Sequence, residues 1–378
     1  MWLASVVAVA GLLAIAIVFW QVLRSRNMHL WVVSYLCQVR TRRKRPPAGV
    51  RHVYFCFADH YEPYWHQADR EVAHQRVQRW VDGYPRVAKG HRDSEGRKPQ
   101  HSFFYPEEEY DSDILDALAG LCRQGYGDVE VHLHHDNDTA GNLRDTLLRF
   151  TDTLNRRHGL LRRDPVTGQV LYCFIHGNWA LDNSRPDGRW CGVDDELSVL
   201  VETGCRCDMT MPSAPSDTQT SKINSIYFAH GSPGHRKSHN DGRDCAVGES
   251  ACAGELLLIQ GPLTLNWRAR KAGILPRIES GEISADAPPS AARVRLWESC
   301  HIGVRGADEH VFIKVHTHGT EERTSDMLFN GGFDQLWTAL EANYRDRPGY
   351  VLHYQTAWEM HETVLRLAHR HAANMASR

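Results

Sequence analysis

The stretch HVYFCFADH (residues 52–60) decides the fold. Its apolar and aromatic residues predict a buried β-strand, and Asp59 and His60 follow that strand directly. Six later runs have the same character: SFFY (102–105), DVEVHLH (128–134), VLYCFI (170–175), CDMTM (207–211), ELLLIQ (255–260) and VFIKVH (311–316).

Helical patterns fill most of the gaps between these runs. They cover residues 66–89, 111–124, 139–158, 194–203, 332–345 and 355–372. Alternating strands and helices predict parallel strands in an α/β fold, and seven strands suit a (β/α)7-type barrel of the glycoside hydrolase/deacetylase type. We therefore expect one barrel domain over residues 51–378, with insertions at about 212–254 and 262–310.

Length, charge distribution and histidine content favour some classes of function over others. The chain has 378 residues, of which 42 % are hydrophobic, so it is long enough for one barrel-sized core. All 46 acidic residues follow residue 51, whereas eight of the 44 basic residues lie in residues 1–51. The acidic body has no basic stripe for nucleic acid, so no nucleic-acid partner is expected. The 23 histidines are far more than average and favour a site.

The N-terminus predicts a membrane anchor. Residues 2–23 carry no charge and would form a helix long enough to cross the hydrocarbon core, with Trp2 and Trp20 near its two ends. A cleaved signal peptide is the alternative, but a basic leading segment is missing and the apolar run is long. Residues 24–50 form a basic juxtamembrane segment next to the lipid surface.

The flanking charges predict the orientation. All eight bases follow the span, which places the globular domain on the cytoplasmic side of an inner membrane. The ten cysteines are irregularly spaced and form no CxxC pair, which agrees with a cytoplasmic domain. A periplasmic domain is the alternative, because enzymes of finished polysaccharides usually act outside the cell. Protein partners cannot be inferred.

Histidine and aspartate follow several of the predicted strands. They occur after HVYFCFA, within and after DVEVHLH, after VLYCFI and at the end of VFIKVH. In an α/β barrel the carboxyl ends of all strands meet at one face, where the loops build the site. Residues far apart in the chain are therefore expected to converge on one rim.

The segment VHLHHDND (131–138) is the first predicted ligand source. His132 and His134 point to the same side of an extended chain, and Asp138 converges with His134 if a turn follows. Imidazole and carboxylate groups suit zinc, iron, cobalt, manganese or nickel, and zinc is the first expectation. A solvated polar loop is the alternative interpretation.

The segment VHTHG (315–319) and the residues around Asp59 supply the remaining chemistry. His316 and His318 share a face, and either can bind metal or act as a general acid. Asp59 can bind metal or accept a proton from water, and Glu62 is close enough to share either role. Each of these histidines could instead be a hydrogen-bonded structural residue.

Other residues are predicted to contact the substrate. His176 and Asn178 suit recognition of sugar hydroxyl groups, and Trp179 is either a sugar-stacking platform or part of the core. Glu62 belongs to the same predicted substrate-binding group.

Three short motifs resemble the polysaccharide deacetylase superfamily (NodB-homology, carbohydrate esterase family 4-like). They are FADHYEP (57–63), EVHLHHDND (130–138) and FIKVHTHG (312–319). Together with FIHGNW (174–179) and PSAPSDTQ (212–219), they look like an uncharacterised membrane-anchored bacterial branch found near exopolysaccharide functions. The resemblance implies a (β/α)7 barrel, a divalent metal held by one Asp and two His, and removal of acetyl groups.

The resemblance also implies residue roles. Asp59 falls on the Asp motif, His134 on the first metal histidine, and His316 or His318 on the late acid. The second metal histidine is replaced by Asp138, so His132 is the alternative ligand. The paired Asp residues of the family correspond here to Ala58-Asp59 or Asp59-His60. The family's Arg-Pro motif is not evident in CDMTMPSAPS, so Arg277 is the candidate for the substrate-binding arginine.

The sequence thus predicts a metal-dependent hydrolase that removes an acyl group from a sugar, polysaccharide or glycan precursor. One alternative is a glycoside hydrolase on a related barrel, for which Asp59 with Glu62 or Asp208 would supply the two carboxylates. Another is a non-catalytic metal- or glycan-binding subunit of a membrane polysaccharide assembly. Sensitivity to a chelator separates the first prediction from the glycosidase.

Overall fold

The computed structural model describes residues 2–42 and 49–369. Residues 1, 43–48 and 370–378 lie outside this description, as do the side chains of residues 3, 4, 6–9, 15, 41 and 42. Residues 43–48 of the predicted basic juxtamembrane segment (24–50) therefore fall outside the described residues.

Parallel strands form the centre of the molecule. The strands are β1 (Arg51–His60), β2 (His101–Pro106), β3 (Gly127–Leu133), β4 (Arg162–Arg163), β5 (Val170–His176), β6 (Cys205–Asp208), β7 (Ile226–His230), β8 (Arg243–Asp244), β9 (Glu255–Ile259), β10 (Thr264–Lys271), β11 (Leu275–Glu279), β12 (His310–Thr317) and β13 (Tyr350–Gln355). The main sheet has the order β12-β1-β2-β3-β5-β6-β9-β7-β8. From β12 to β9 every neighbouring pair is parallel.

Ten α-helices accompany these strands in the described residues, the first two of them ahead of β1. They are α1 (Trp2–Ser25), α2 (Val32–Arg42), α3 (Arg70–Ala88), α4 (Ser112–Arg123), α5 (Ala140–His158), α6 (Glu196–Thr203), α7 (Ala291–Glu298), α8 (Glu322–Met327), α9 (Phe333–Leu340) and α10 (Ala357–Ala368). The apolar faces of α3, α4 and α5 bury Trp80, Leu118 and Leu147 in one large core cluster. The prediction of a mixed α/β fold on parallel strands is confirmed.

The two edges of the parallel sheet approach each other. Lys314 of β12 donates through Nζ to the carbonyl oxygens of Met209 and Met211, which follow β6. Gly261, directly after β9, lies so close to Lys314 that a Cβ atom would be 2.6 Å from its carbonyl oxygen. The residues just after β9 therefore lie against β12, as expected for a sheet that curls towards a barrel.

Residues 281–283 extend the open edge of β12. The amide of His316 donates to the carbonyl of Gly281, and the amide of Ile283 donates to the carbonyl of His316. The hydroxyl of Thr317 donates to the carbonyl of Ile283. These bonds satisfy polar groups of the last turn of β12, and they fix the direction in which the chain leaves the strand.

The segment around α2 packs against the rest of the structure. Trp31 and Tyr35 bury against Ala214, Ile223 and Leu263, so the chain around α2 packs on the segments that follow β6 and β9. Among the described residues, no helix offers a stretch long and apolar enough to cross a membrane. The predicted span over residues 2–23 includes positions whose side chains lie outside the description.

The predicted insertions contain regular structure that the sequence patterns did not reveal. In the first, β7 pairs antiparallel with β9, and β8 pairs with β7. In the second, β10 and β11 form an antiparallel hairpin before α7. These strands are short and interrupted by polar and glycine residues, so their alternation is weak.

Candidate metal centre

The carboxyl ends of three strands bring the predicted histidines together. His60 ends β1, His134 follows β3 and His318 follows β12. Because β12, β1, β2 and β3 are parallel neighbours, these ends lie at one rim of the sheet. Five side chains gather there, and we call them the Glu62 cluster: His60, Glu62, His132, His134 and His318.

Glu62 lies at the centre of this cluster. Its Oε1 is 3.2 Å from Nε2 of His132 and 3.2 Å from Nε2 of His134, and its Oε2 is 3.0 Å from Nδ1 of His318. Glu62 is only 2 % exposed. Burial raises the pKa of this carboxyl, but hydrogen bonds from the three histidines outweigh burial and hold the pKa well below its usual range. Glu62 is therefore a buried carboxylate surrounded by imidazoles.

The hydrogen bonds of His132 fix which of its nitrogens faces Glu62. Its Nδ1 donates to the carbonyl oxygen of Ile175 at 2.7 Å, since a carbonyl can only accept. Nε2 faces the carboxylate of Glu62, to which it donates only when the ring carries both protons; in the neutral ring this nitrogen is an acceptor. Two acceptors 3.2 Å apart repel each other unless a proton or a cation lies between them. A histidine held through Nδ1 by a carbonyl is the usual arrangement of a metal ligand.

A ring nitrogen of His60 is a third candidate metal ligand, beside those of Glu62 and His132. One ring nitrogen of His60, one oxygen of Glu62 and one nitrogen of His132 lie within 4.8 Å of one another. His60 is buried, and its ring contacts those of His132 and His318 at 5.0 Å and 4.8 Å between centroids. Burial and these neighbouring histidines hold the pKa of His60 well below its usual range. A neutral imidazole of this kind is competent to bind a metal.

His134 bridges two carboxylates. Its Nδ1 donates to Glu108 at 2.5 Å and its Nε2 lies 3.2 Å from Glu62. Burial lowers the pKa of His134, but the hydrogen bonds to Glu108 and Glu62 outweigh it and raise the pKa to about 10. Glu108 belongs to the acidic run 107–109, which holds His134 in place.

The two late histidines differ in their surroundings. The side chain of His318 is 25 % exposed, and burial opposes its protonation while the hydrogen bond to Glu62 raises its pKa. His316 is more buried, and burial, Lys314 and His318 hold its pKa well below the usual range. The ring of His316 contacts His60 at 6.2 Å between centroids but makes no hydrogen bond to Glu62. The structure therefore places His318 in the cluster and His316 beside it.

Asp59 lies beside the cluster and is fully engaged. Its Oδ2 accepts from Nε2 of His101 at 2.9 Å, and its Oδ1 accepts from the amide of Gly319 at 2.7 Å. Trp80 donates to the carbonyl of Gly319 at 3.0 Å. In this arrangement Asp59 holds the turn that follows β12, and its predicted role as ligand or base stays a prediction.

Two other predicted residues belong to a separate group. Asp138 accepts from Nδ1 of His135 at 3.0 Å, and Nε2 of His135 lies 2.9 Å from Nε2 of His176. His176 is fully buried there with Cys191 and Glu196. The structure thus brings Asp138 and His176 together with each other and not with Glu62.

Two tryptophans flank the Glu62 cluster. The ring centroid of Trp65 is 5.2 Å from that of His318, and Trp179 is 5.8 Å from His60. The indole N–H groups of both tryptophans are buried without a partner among the described residues. Unpaired buried donors in two aromatic walls suit a ligand with hydroxyl or carbonyl groups.

Backbone strain is concentrated beside these walls. Residues 66, 67, 178, 179, 182 and 183 have positive φ although none of them is glycine. Left-handed backbone of this kind costs free energy and is enriched at functional sites. Asn178 and Trp179 form the turn directly after β5, so the strain lies in the segment that positions Trp179.

A cavity of about 260 Å³ opens beside the cluster. Trp65, His66, Glu282 and His318 are among its lining residues. Arg277 lies elsewhere, since it is exposed on β11 opposite Asn266 and does not line this cavity. The predicted role of Arg277 in substrate binding stays a prediction without a contact to the cluster.

Comparisons with known proteins add little to this geometry. No family model matches the chain, and no curated protein matches it. One solved structure with a similar chain path is that of an alpha-mannosidase from Enterococcus faecalis V583, with 11 % identity and a TM-score of 0.41. The match covers 84 % of this chain but only 29 % of the alpha-mannosidase. The resemblance to polysaccharide deacetylases therefore stays a prediction.

The sequence did not single out Cys191, Glu196 or His135 as a group. Cys191 and Glu196 lie in and after the irregular connection from β5 to α6, where no periodic pattern predicts their position. The adjacent histidines His134 and His135 were the sequence feature that could have pointed to this group. They face opposite ways, since His134 contacts Glu62 while His135 contacts His176.

Proposed function

We propose that this chain is a metal-dependent hydrolase that removes an acyl group from a sugar-containing substrate. The observation that supports this most directly is the Glu62 cluster, where a buried carboxylate meets three histidine nitrogens within 3.2 Å. Isolated buried charges are costly, and pairing with a cation is one of the few ways to retain them.

The donor set fits a divalent cation. His60, Glu62 and His132 would hold it, because their ligand atoms lie within 4.8 Å of one another and His132 is oriented through Ile175. Two imidazoles and one carboxylate are a ligand set of catalytic zinc sites, which keep a further position open. When bound, the cation would supply Lewis-acid activation of water and of the substrate carbonyl.

The remaining side chains would bind substrate and carry protons. Nδ1 of His318 is bound to Glu62, so its Nε2 is left for the substrate in the adjoining cavity. That nitrogen would donate the proton to the leaving amine or alcohol. Trp65 and Trp179 would pack on the sugar ring, and their unpaired N–H groups would bind its oxygen atoms.

The carboxylates considered for a glycosidase have other partners. Both oxygens of Asp59 accept hydrogen bonds from His101 and Gly319. Asp208 is buried, and its oxygens accept from the amide and hydroxyl of Thr210. A glycosidase needs two carboxylates that flank one bond of the substrate, so removal of an acyl group agrees better with these contacts.

Chelation provides the direct test. We expect purified full-length protein to release acetate from N- or O-acetylated oligosaccharides, to lose this activity with a chelator and to regain it with zinc. Aryl glycosides serve in parallel, because release of the aryl group that persists in chelator would establish the glycosidase instead. Acetylated-sugar binding without any turnover of the metal-loaded protein would contradict the hydrolase and identify an accessory subunit.

We also propose that α1 anchors the chain to the inner membrane, with the barrel on the cytoplasmic side. Leu12, Leu13, Ile17, Val18 and Phe19 of this helix are each more than half exposed, and lipid would cover such apolar surface favourably. We expect full-length protein to stay in the membrane fraction after carbonate washing, whereas a variant lacking residues 1–26 stays in solution. Full-length protein in the soluble fraction would contradict the anchor.

Orientation requires a separate experiment. Cys252 is an exposed thiol on the barrel. With a cytoplasmic barrel, a membrane-impermeant thiol reagent should label Cys252 only after the cells are opened, and a Cys252→Ser variant identifies that label. Labelling of Cys252 in cells whose inner membrane is intact would place the barrel in the periplasm.

A further inference from the structure

A second group of ligand side chains lies next to the Glu62 cluster and is used by none of the chemistry above. It consists of His135, His176, Cys191 and Glu196, which come from the loop after β3, the end of β5, the following connection and the first turn of α6. We propose that these four residues bind a structural zinc ion, and we call them the Cys191 site.

The four ligand atoms lie within 4.8 Å of one another, and their separations are close to or shorter than those around tetrahedral zinc. Zinc bonds of about 2.0–2.3 Å place tetrahedral ligand atoms about 3.3–3.8 Å apart. Nε2 of His135 lies 2.9 Å from Nε2 of His176 and 3.1 Å from Oε1 of Glu196. Nε2 of His176 is 3.4 Å from the same oxygen, and Sγ of Cys191 is 3.5 Å from Oε2 of Glu196.

Both histidines turn Nε2 towards this point. Nδ1 of His135 donates to the carboxylate of Asp138, and Nδ1 of His176 donates to the carbonyl of Gly177 at 2.5 Å. The two Nε2 atoms therefore face each other and Oε1 of Glu196. Either a second proton on His135 or a cation between the rings satisfies this arrangement, and metal analysis distinguishes the two.

The outer contacts orient these ligands. Asp138, which holds His135, itself accepts from the amide of Thr139 and from Asn142, both at 2.7 Å. Glu196 uses its Oε2 to accept from the amide of Asp182 at 2.6 Å. A carboxylate behind a metal-binding histidine is a common outer contact of zinc sites, because it fixes the ring and increases its basicity.

The sulfur of Cys191 accepts two backbone hydrogen bonds. The amides of Asn183 and Val193 lie 3.3 Å and 3.5 Å from Sγ. These contacts fix the position of Sγ beside the two imidazoles and Glu196.

The ligand set favours zinc in a structural role. Two imidazoles, one carboxylate and one thiolate complete a four-coordinate sphere, and thiolate selects against hard cations such as magnesium and calcium. Cys191, His176 and Glu196 are buried, and the side chain of His135 is 8 % exposed. Four protein ligands leave no position for substrate, unlike the three-residue set of His60, Glu62 and His132.

The Cys191 site lies where a bound metal would stabilise the long connection between β5 and α6. Residues 177–195 connect β5 to α6 with only two short 3₁₀ turns, and connections this long are seldom left without internal support. This connection carries Trp179 to the Glu62 cluster. The Cys191 site ties it to the loop after β3 and to α6, so zinc would hold Trp179 in place.

Metal analysis of the full-length protein tests the proposal. We expect Cys191→Ser to lose one equivalent of zinc relative to the wild type, and Cys252→Ser, which removes an exposed thiol, to lose none. Cobalt-loaded wild type and Cys252→Ser should show a thiolate-to-cobalt charge-transfer band that Cys191→Ser lacks. His176→Asn should also lose one equivalent.

The outcomes separate this site from the Glu62 cluster. Loss of zinc in Cys191→Ser but not in Glu62→Gln would support the Cys191 site while contradicting the metal part of the proposed function. Full zinc in Cys191→Ser, or folded wild type without zinc after purification in its presence, would show a hydrogen-bonded cluster without metal. If Cys191→Ser does not fold, the wild-type cobalt spectrum decides, and absence of the band overturns the proposal.

Discussion

Replacing Glu62 by glutamine is expected to lower kcat/KM by about three orders of magnitude, because a bound cation contributes several kcal/mol of transition-state stabilisation and Glu62 is one of its proposed ligands. The amide keeps the shape but removes the charge on which His132, His134 and His318 converge. The variant should also lose the metal held with His60 and His132. Acetate release and elemental analysis of the same preparations measure both effects.

The matched control is Glu71→Gln. Glu71 is an exposed residue in the first turn of α3, so its loss tests for a general effect of removing one negative charge. Activity and metal content of this variant should equal those of the wild type. If Glu62→Gln retained both, the Glu62 cluster would not be the reacting centre.

Replacing Arg162 by methionine is expected to lower the free energy of unfolding at pH 9 by about 3–5 kcal/mol, as for other buried ion pairs that lose one partner. Nη1 of Arg162 lies 2.5 Å from Oε1 of Glu130, which is fully buried on β3. The other oxygen of Glu130 accepts from the amide of Cys173 at 2.6 Å. Methionine retains apolar contact with Trp358, against which Arg162 now packs.

The loss of stability in Arg162→Met should depend on pH. Burial raises the pKa of Glu130 to about 8, although Arg162 lowers it. Because the pKa in the folded state exceeds the unfolded value of about 4.3, the folded protein binds the proton more tightly, and the stability from this group is lost as pH rises through 8. Without Arg162 the charged form is costlier still. The variant should therefore be least stable relative to wild type at high pH, and closest to it near pH 5.

Urea unfolding at pH 5 and pH 9 measures both effects. Arg156→Met is the control, since Arg156 forms an exposed i,i+4 pair with Asp152 and should change stability by less than about 1 kcal/mol. Glu130→Gln combined with Arg162→Met should recover part of the loss. A single variant as stable as the control at pH 9 would contradict a buried, charged Glu130.

Much of the fold follows from the sequence because most of the seven predicted strands contain apolar runs and are separated by helical patterns. The helix predicted at 139–158 is observed at Ala140–His158, where Thr139 caps one end and Gly159 the other. By contrast, β13 lies at the end of the chain's last loop and pairs with the first half of β1. Its sequence YVLHYQ mixes apolar and polar residues, so only the tertiary pairing identifies it.

The candidate site was partly predictable for a similar reason. Strand periodicity predicted one direction for His132 and His134 and a shared face for His316 and His318. The structure brings His132, His134 and His318 to Glu62 and leaves His316 beside them. Asp59 was predicted as a ligand because of its position, but the structure shows its oxygens engaged by His101 and Gly319. Short-range patterns cannot indicate such partners, since His101 is 42 positions away in the chain.

Gly319 lets the turn after β12 pack directly against Asp59 and Trp80. A methyl group there would collide with the carboxylate of Asp59 and with the ring of Trp80, so the peptide sits directly against both. His318 is the preceding residue and contacts Glu62, and Asp59 precedes His60. A side chain at position 319 would therefore push against the proposed proton donor and the proposed metal ligands together, so metal capture and turnover are expected to fail jointly in such a variant.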